Sequence, residues 1–317
     1  MASVSRWEKL LLRPALTSAT GTLAPPTAIP VFLYGTAWKK ERTADLVYQA
    51  LSTGFKGIDT AAQPKHYRED LVGEGLRRAL AEDKVKREDV YVQTKYTPVG
   101  GQDVQSVPYD PYSSIADQIH ASIKSSMTNL RVLDEPNSEK DTYLDALVLH
   151  SPLPTINETL EAWKMLENYV PHKLRNLGIS NCDLTLLKTI YSSAKVKPAI
   201  VQNRFHLGSK FDVGVRQFCR ENSIVYQSFW TLTANPELVW SAEVGLLSQQ
   251  AIISPQAALY CLVLGLGNTI LLNGTKDEGR MLRDLAAPKV VEEFATKHPE
   301  EWGKILREFK KKIGETK

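Results

Sequence analysis

Short apolar segments alternate with amphipathic segments along most of this 317-residue chain. Eight apolar runs have the length of a strand and lack the polar alternation of a half-exposed sheet. These runs are Val31–Tyr34, Lys56–Ile58, Val90–Thr94, Leu144–Leu149, Asn176–Ile179, Ala199–Gln202, Ile224–Ser228 and Thr269–Leu272. Amphipathic stretches with helical periodicity follow them, namely Thr43–Ser52, Asp70–Glu82, Ser114–Leu130, Ile156–Tyr169, Leu184–Ser193, Val213–Asn222, Pro255–Leu264 and Glu278–Leu285. The chain therefore repeats a strand and then a helix eight times.

This repeat limits the choice of fold. Apolar strands without alternation are typical of parallel sheets, which are buried on both faces. Eight such units in about 280 residues predict an α/β protein with a (β/α)8 TIM barrel. A doubly wound sheet would need a glycine-rich phosphate loop after the first strand, and the sequence there, LYGTAWKK, has no G-x-G-x-x-G. We predict one barrel domain with a C-terminal helical tail over residues 31–317, preceded by an N-terminal extension over residues 1–30.

The composition excludes several classes of partner. Net charge is +3, and FKKKIG near the C-terminus is the one dense basic block, so we expect no nucleic-acid binding. No apolar run reaches the ~18 residues that span a bilayer, and the N-terminal segment has no signal-peptide core. Cys182, Cys219 and Cys261 form no CxxC pair, which indicates a reducing compartment without a disulfide frame or metal site. We therefore predict a cytoplasmic protein that binds neither membrane nor metal.

Ionisable residues end three consecutive predicted strands. Asp59 follows the second strand, Lys95 the third and His150 the fourth, while Tyr67 lies in the loop after the second. Each has an ordinary explanation on its own, such as capping a turn, contact with solvent, strand-end hydrogen bonding or packing. In a barrel, however, the carboxyl ends of the strands meet at one mouth, where active sites lie. Together the four residues predict an active site.

These four residue types suit the reduction of a carbonyl group by hydride. A tyrosine hydroxyl, with a usual pKa of ~10, stays protonated at neutral pH, and a nearby ammonium makes its proton easier to give. A buried lysine needs a counter-charge, and an imidazole N–H can orient a carbonyl oxygen. We therefore predict Tyr67 as the general acid, Lys95 as the group that tunes it, Asp59 as the partner of Lys95, and His150 as the orienting donor.

Seven motifs of this chain are similar to those of the aldo-keto reductase family, over most of the chain from about Phe32 to Leu285. They are GTAW at 35–38, GIDTA at 57–61, YREDLVGEGL at 67–76, TK at 94–95, LDALVLHSP at 144–152, GISN at 178–181 and SPQAAL at 254–259. Members of that family are (β/α)8 barrels that use an Asp–Tyr–Lys–His tetrad and NADP(H) to reduce aldehydes and ketones. The resemblance implies the same activity here, with a small-molecule carbonyl substrate and a monomeric or homodimeric state.

The resemblance also implies cofactor and substrate residues. The nicotinamide carboxamide is expected at Ser180, Asn181 and Gln202, for which strand-end hydrogen bonding is the alternative. Ser228 and Trp230 belong to a loop that covers the pyrophosphate, and the adenosine 2′-phosphate is expected at Thr275, Lys276 and Arg280. NADP(H) is the expected cofactor, with NADH as the alternative. Rings on the mouth loops, above all Trp38 and Tyr96, predict an aromatic or apolar carbonyl substrate.

The chain departs from the family pattern in three places. Asp59 and Tyr67 are eight residues apart rather than about five, with AQPKH before the tyrosine. Gln227 stands where the family has a nicotinamide-stacking tyrosine, while Tyr226, one residue earlier, should face the other way. In the phosphate segment, Asn273 and its neighbour glycine replace a Lys–Ser pair.

Two alternatives follow from these residues. A regulatory barrel that binds a nicotinamide nucleotide with little turnover would tolerate the altered stacking and phosphate segments. A lyase or isomerase that uses Lys95 as a Schiff base would need this lysine without a carboxylate partner, which Asp59 opposes. His66, next to Tyr67, is a second candidate imidazole, and His150 is preferred. Residues 1–30 either cover the bottom of the barrel or are partly disordered.

Overall fold

Eight parallel strands close into a barrel in the computed structural model, which describes residues 7–14, 26–135 and 137–315. Two short antiparallel strands, β1 (Lys9–Leu11) and β2 (Ala28–Pro30), precede the barrel. The barrel strands are β3 (Phe32–Gly35), β4 (Gly57–Asp59), β5 (Tyr91–Tyr96), β6 (Ala146–Leu149), β7 (Leu177–Ser180), β8 (Ile200–Arg204), β9 (Val225–Phe229) and β10 (Thr269–Asn273). Each pairs with the next, and β10 pairs with β3. The predicted (β/α)8 barrel is confirmed, and each predicted apolar run overlaps one strand.

Helices alternate with the barrel strands. They are α1 (Thr43–Thr53), α2 (Glu69–Ala81), α3 (Ile115–Asn129), α4 (Ile156–Glu167), α5 (Leu184–Ser193), α6 (Val213–Glu221), α7 (Pro236–Val239), α8 (Ala242–Ala251), α9 (Pro255–Gly265), α10 (Glu278–Lys297) and α11 (Pro299–Lys312). Five of them have an N-cap residue whose side chain accepts a hydrogen bond from the backbone N–H three residues later. These N-cap residues are Ser114, Thr155, Asp183, Ser254 and Asp277. The connection after β9, predicted to begin as a long loop, contains α7 and α8.

Strand alternation decides which side chains enter the barrel. On β5, Gln93 and Lys95 project inward and both donate hydrogen bonds to Asp59 of β4. Tyr96, the next residue, projects outward, and its hydroxyl donates to Oε1 of Gln118 on α3 at 3.1 Å. The predicted role of Tyr96 as a substrate contact is therefore corrected, because its buried ring lies on the helix side of the sheet.

The N-terminal hairpin covers the end of the barrel where the strands begin. Leu12 and Ile29 are buried there. They share a hydrophobic cluster with side chains from the first residues of the barrel strands, including Leu33, Ala146, Ile200, Val225 and Ile270. The described part of the extension thus follows the first alternative, a cover for the bottom. Residues 1–6 and 15–25, on which the rest of that prediction falls, lie outside the described residues.

The eighth predicted helix, Glu278–Leu285, is the first part of α10, and the C-terminal tail consists of the rest of α10 and of α11. Glu315, just after α11, is buried and forms ion pairs with two arginines of α6, Arg216 at 2.6 Å and Arg220 at 3.1 Å. This contact fixes the end of the described chain to the outer helices. Over the described ranges, no helix is both long and apolar enough to cross a membrane.

Candidate active site

A buried ion pair lies at the centre of the mouth. Nζ of Lys95 donates to Oδ2 of Asp59 at 2.7 Å and to the backbone oxygen of Thr60 at 2.8 Å, and the two charged side chains are 1% and 2% exposed. Burial lowers the pKa of Lys95, but Asp59 and Tyr67 together more than offset this, so its pKa is raised. Lys95 is therefore a fixed ammonium ion.

The ring of Tyr67 lies above this pair. Nζ of Lys95 is 5.0 Å from the ring centre, and the ring of His150 meets it edge-on at 5.9 Å. Burial raises the pKa of Tyr67 more than Lys95 lowers it. The sequence predicted the effect of Lys95 correctly in sign, but the net shift is upward because burial dominates.

The longer loop before Tyr67 folds back on itself. The backbone oxygen of Gln63 accepts from the N–H groups of His66 at 3.1 Å and Tyr67 at 3.0 Å. Nε2 of Gln63 donates to the backbone oxygen of Gly101 at 2.5 Å, which ties this turn to the loop after β5. The inserted residues thus form a turn that brings Tyr67 back to the mouth of the barrel. The longer separation between Asp59 and Tyr67 therefore does not displace Tyr67 from the site.

His150 carries a neutral imidazole. Its Nδ1 is 2.6 Å from Oγ1 of Thr97, and its pKa is lowered well below 6.5 by burial, then by the charges of Lys95 and His66. The ring of His66 is instead held by Trp38, whose Nε1 donates to its Nδ1 at 3.1 Å. Of the two candidate imidazoles, His150 is the one packed against Tyr67.

Three buried glutamines, not singled out as a group from the sequence, are linked to the other oxygen of Asp59, two directly and one through them. Nε2 of Gln93 and Nε2 of Gln202 donate to Oδ1 of Asp59 at 2.7 and 2.9 Å. Both also donate to Oε1 of Gln227, at 2.9 and 2.8 Å. We call Gln93, Gln202 and Gln227 the glutamine cluster. The one local signal for it is the position of Gln93, two residues before Lys95 on the same strand face.

The residues predicted to hold the nicotinamide lie next to His150. Oγ of Ser180 donates to the backbone oxygen of Gln202 at 2.6 Å, and Nδ2 of Asn181 donates to the backbone oxygen of His150 at 2.9 Å. Asn181 has a left-handed backbone, with φ of 56°. Among the hydrogen bonds of the described residues, none uses Oδ1 of Asn181 or Oε1 of Gln202. These side chains therefore make strand-end bonds and keep one acceptor each.

Gln227 and Tyr226 follow the predicted alternation. Gln227 projects into the barrel with the glutamine cluster, whereas the hydroxyl of Tyr226 donates to Oδ2 of Asp212 at 3.0 Å on the outside. Tyr226 is therefore not available to stack on a group bound in the mouth.

Two tryptophans form the rim of the mouth. Trp38, after β3, and Trp230, after β9, are 50% and 42% exposed, and their rings are 6.1 Å apart. The guanidinium of Arg204 lies 4.2 Å from the centre of the Trp230 ring. Ser228 is buried, and its Oγ lies 2.6 Å from Oγ1 of Thr231. The predicted substrate residue Trp38 and the predicted cofactor residue Trp230 thus share one aromatic surface.

The segment predicted to hold the 2′-phosphate follows β10. The N–H of Thr275 donates to Oδ1 of Asn273, whose Nδ2 donates to Asp284 at 2.7 Å. Both polar atoms of the Asn273 side chain are thus used in hydrogen bonds within the protein. Arg280 is exposed, and its Nε lies 3.7 Å from Asp277.

Lys39 is a cation in this region that the sequence analysis missed. It is buried, and its Nζ donates to the backbone oxygen of Gly274. Burial, then the charges of Lys276 and Arg42, lower its pKa to about 8. Lys39 thus lies near two other cations, Lys276 and Arg42, and within residues 7–14, 26–135 and 137–315 it forms no ion pair. The WKK sequence after β3 was the available signal.

The fold places this chain among barrel proteins whose functional side chains gather at the carboxyl ends of the strands. The family model described as "Aldo/keto reductase family" matches residues 32–235, which is more than half of the chain. The chain belongs to the aldo/keto reductase family.

Individual relatives are distant. The NAD(P)H-dependent D-xylose reductase of Pachysolen tannophilus is 26% identical over 210 residues, which cover 58% of each protein. An aldo-keto reductase from a Medee basin deep-sea metagenome library superposes with a TM-score of 0.69 at 18% identity, covering 91% of this chain and 93% of that one. A Bombyx mori aldo-keto reductase, solved in complex with NADP, superposes with a TM-score of 0.65 at 19% identity, covering 88% of each. At these identities the structural likeness shows the fold alone.

Proposed function

We propose that this protein is an NADP(H)-dependent oxidoreductase that reduces aldehydes or ketones to alcohols. The observation that carries the proposal is the position of Lys95, 2.7 Å from the carboxylate of Asp59 and 5.0 Å from the centre of the Tyr67 ring. His150 lies against the same ring. A phenol, a buried cation and a neutral imidazole at one point of the mouth suit the protonation of a developing oxyanion.

Tyr67 acts as the general acid. Its raised pKa keeps the hydroxyl protonated at neutral pH, so a proton is present at the start of each turnover. After transfer, the ammonium of Lys95 stabilises the phenolate. Asp59 keeps Lys95 charged in a buried place where a lone ammonium would lose its proton. The reaction therefore needs the ion pair as well as the phenol.

His150 orients the carbonyl. Oγ1 of Thr97 lies 2.6 Å from Nδ1, and in the tautomer that carries its proton on Nε2 the hydroxyl donates this hydrogen bond. The lowered pKa keeps this imidazole neutral at neutral pH, so it offers one N–H to the substrate oxygen and adds no charge beside Lys95. A fixed N–H of this kind stabilises negative charge as it develops.

NADP(H), when bound, supplies the hydride. Its carboxamide fits Ser180, Asn181 and Gln202, because Oδ1 of Asn181 and Oε1 of Gln202 are free to accept from an amide N–H. Ser228 and Trp230 border the path of the pyrophosphate. The adenosine 2′-phosphate fits Lys39, which bonds to Gly274, its neighbouring cation Lys276, the hydroxyl of Thr275 and the exposed Arg280 of the following helix. These cations favour NADPH over NADH.

The substrate is a small aromatic or apolar carbonyl compound. The exposed rings of Trp38 and Trp230 support this class, since apolar rings with a few polar groups typically form ligand sites. A substrate panel should contain aromatic aldehydes, aliphatic ketones and aldose sugars. A preference for small charged sugars alone would contradict this choice of class.

The first experiment measures consumption of NADPH with an activated aromatic aldehyde, for the wild type and for Tyr67→Phe. We expect the wild type to turn over and the variant to lose most of its rate while it still binds NADPH. A wild type that binds NADPH yet reduces no aldehyde or ketone in the panel would favour the second candidate, a regulatory barrel. The observations that favour this second candidate are the inward Gln227 and the bonding of Asn273 to Asp284.

Two further predictions accompany the proposed function. A cytoplasmic location is predicted from the cysteines, all three of which are free and buried. A monomeric or homodimeric state is predicted from the family, and sedimentation of the purified chain would test it.

A further inference from the structure

The glutamine cluster has a closed pattern of hydrogen bonds. Gln93 and Gln202 each have two amide hydrogens, and each directs one to Oδ1 of Asp59 and the other to Oε1 of Gln227. Nε2 of Gln227 returns a hydrogen bond to Oε1 of Gln93 at 2.8 Å. Reversing either of the first two amides would direct a carbonyl oxygen at a carboxylate oxygen, so the pattern permits one orientation of each.

We propose that Gln93, Gln202 and Gln227 are positioning residues that hold the carboxylate of Asp59, and through it Lys95, in the geometry required for proton transfer by Tyr67. The inference deepens the proposed function and rests on it. Gln202 and Gln227 are register partners on the neighbouring strands β8 and β9, and Gln93 comes from β5, across the barrel from β9. The cluster therefore spans the barrel interior directly below the reacting groups.

The two oxygens of Asp59 have separate tasks in this arrangement. Oδ2 receives Lys95 at 2.7 Å, while Oδ1 receives both glutamine amides. Hydrogen bonds to a carboxylate favour its ionised form. With Oδ1 fixed from two directions, the carboxylate cannot turn away from Lys95, and the ammonium stays beneath Tyr67.

A purely structural polar layer is the competing explanation. It would make the cluster important for stability and irrelevant to the positions of Asp59 and Lys95. Tyr91 offers a matched control, because its buried hydroxyl donates to Oε1 of Gln93 at 3.0 Å and, in the described part of the chain, forms no hydrogen bond with Asp59.

The experiment compares Gln93→Leu with Tyr91→Phe. For Gln93→Leu we expect kcat to fall by about tenfold or more, with KM for the aldehyde and Kd for NADPH within about twofold of wild type. Tyr91→Phe should leave kcat within about twofold of wild type. An equal or absent fall of kcat in both variants would overturn the inference.

Gln227→Met provides a second variant, in case Gln93→Leu does not fold. Among the described residues Gln227 forms no hydrogen bond with Asp59, but it accepts from both amides that do. Its loss should lower kcat in the same direction by a smaller factor. A normal kcat with lowered stability in Gln227→Met would assign the cluster a structural role only.

A readout without turnover separates this inference from the proposed function. In crystals of the protein without cofactor, Gln93→Leu should lengthen the 2.7 Å contact between Nζ of Lys95 and Oδ2 of Asp59, whereas Tyr91→Phe should keep it. If the contact lengthens and the wild type reduces no carbonyl, the positioning inference holds and the proposed function fails. If carbonyls are reduced and the contact is unchanged in Gln93→Leu, the function holds and the inference fails.

Discussion

Removal of the ammonium from Lys95 tests the buried ion pair on which the site depends. In Lys95→Met the carboxylate of Asp59 remains in a place where its side chain is 2% exposed. Leaving one buried charge without its partner typically costs about 3–5 kcal/mol of the free energy of unfolding. The two amide donors from Gln93 and Gln202 remain, so we expect the lower part of that range at neutral pH.

A double-mutant cycle isolates the pair. Asp59→Asn keeps a carbonyl oxygen that can accept from the two glutamine amides and removes the negative charge. In Lys95→Met/Asp59→Asn no buried charge is left unpaired, so the double variant should be more stable than Lys95→Met. We expect a coupling free energy of about 1.5–3 kcal/mol, while the proposed reductase activity should be absent in both variants.

The assay is urea unfolding with linear extrapolation at neutral pH. A double variant no more stable than Lys95→Met would refute the view that an unpaired carboxylate causes the loss.

Three further outcomes are expected. Lys39→Gln should weaken binding of NADPH more than binding of NADH. In the wild type, NADPH affinity should fall as pH rises through about 8, because Lys39 loses its charge there. Isothermal titration calorimetry across that pH range measures both effects. Gly73→Ala should destabilise the fold by roughly 1–3 kcal/mol, because an added Cβ would lie 1.8 Å from the backbone oxygen of Asn129. Gly245→Ala, where nothing lies within 4 Å of the added Cβ, should leave stability unchanged or raise it in the same unfolding experiment. The lowered pKa of His150 means that stability is lost as pH falls below about 6.5, where an unfolded histidine takes up a proton; His150→Asn should reduce this loss in thermal unfolding scans.

Much of the site follows from rules that are local in sequence. The order of strands and helices predicted the barrel, and the barrel brings Asp59, Lys95 and His150 to one mouth. The loop that carries Tyr67 closes through hydrogen bonds to Gln63, only four residues away. For these residues, a pattern read along the chain and the known geometry of a parallel barrel were sufficient.

The position of Tyr96 shows how a boundary error changes a side chain's surroundings. The predicted third strand ended at Thr94, which left Tyr96 in a loop at the mouth. The strand in fact continues through Tyr96, so alternation directs the ring toward α3. A difference of two residues at a strand end, the least certain part of any such prediction, moved one side chain from the site to the outer layer.

The sequence did not show which distant residues meet inside the barrel or how deeply each side chain is buried. The glutamine cluster joins positions as much as 134 residues apart, and Lys39 contacts a backbone group 235 residues away. Neither contact has a periodic signal, because each depends on which loops and strand levels meet after closure of the barrel. The direction of the Tyr67 pKa shift was mispredicted for the same reason. The sequence predicted the neighbouring cation, which lowers this pKa, but not the burial, which raises it more. Residue type and spacing thus predicted which groups meet, whereas burial, which decides their charge states, required the assembled barrel.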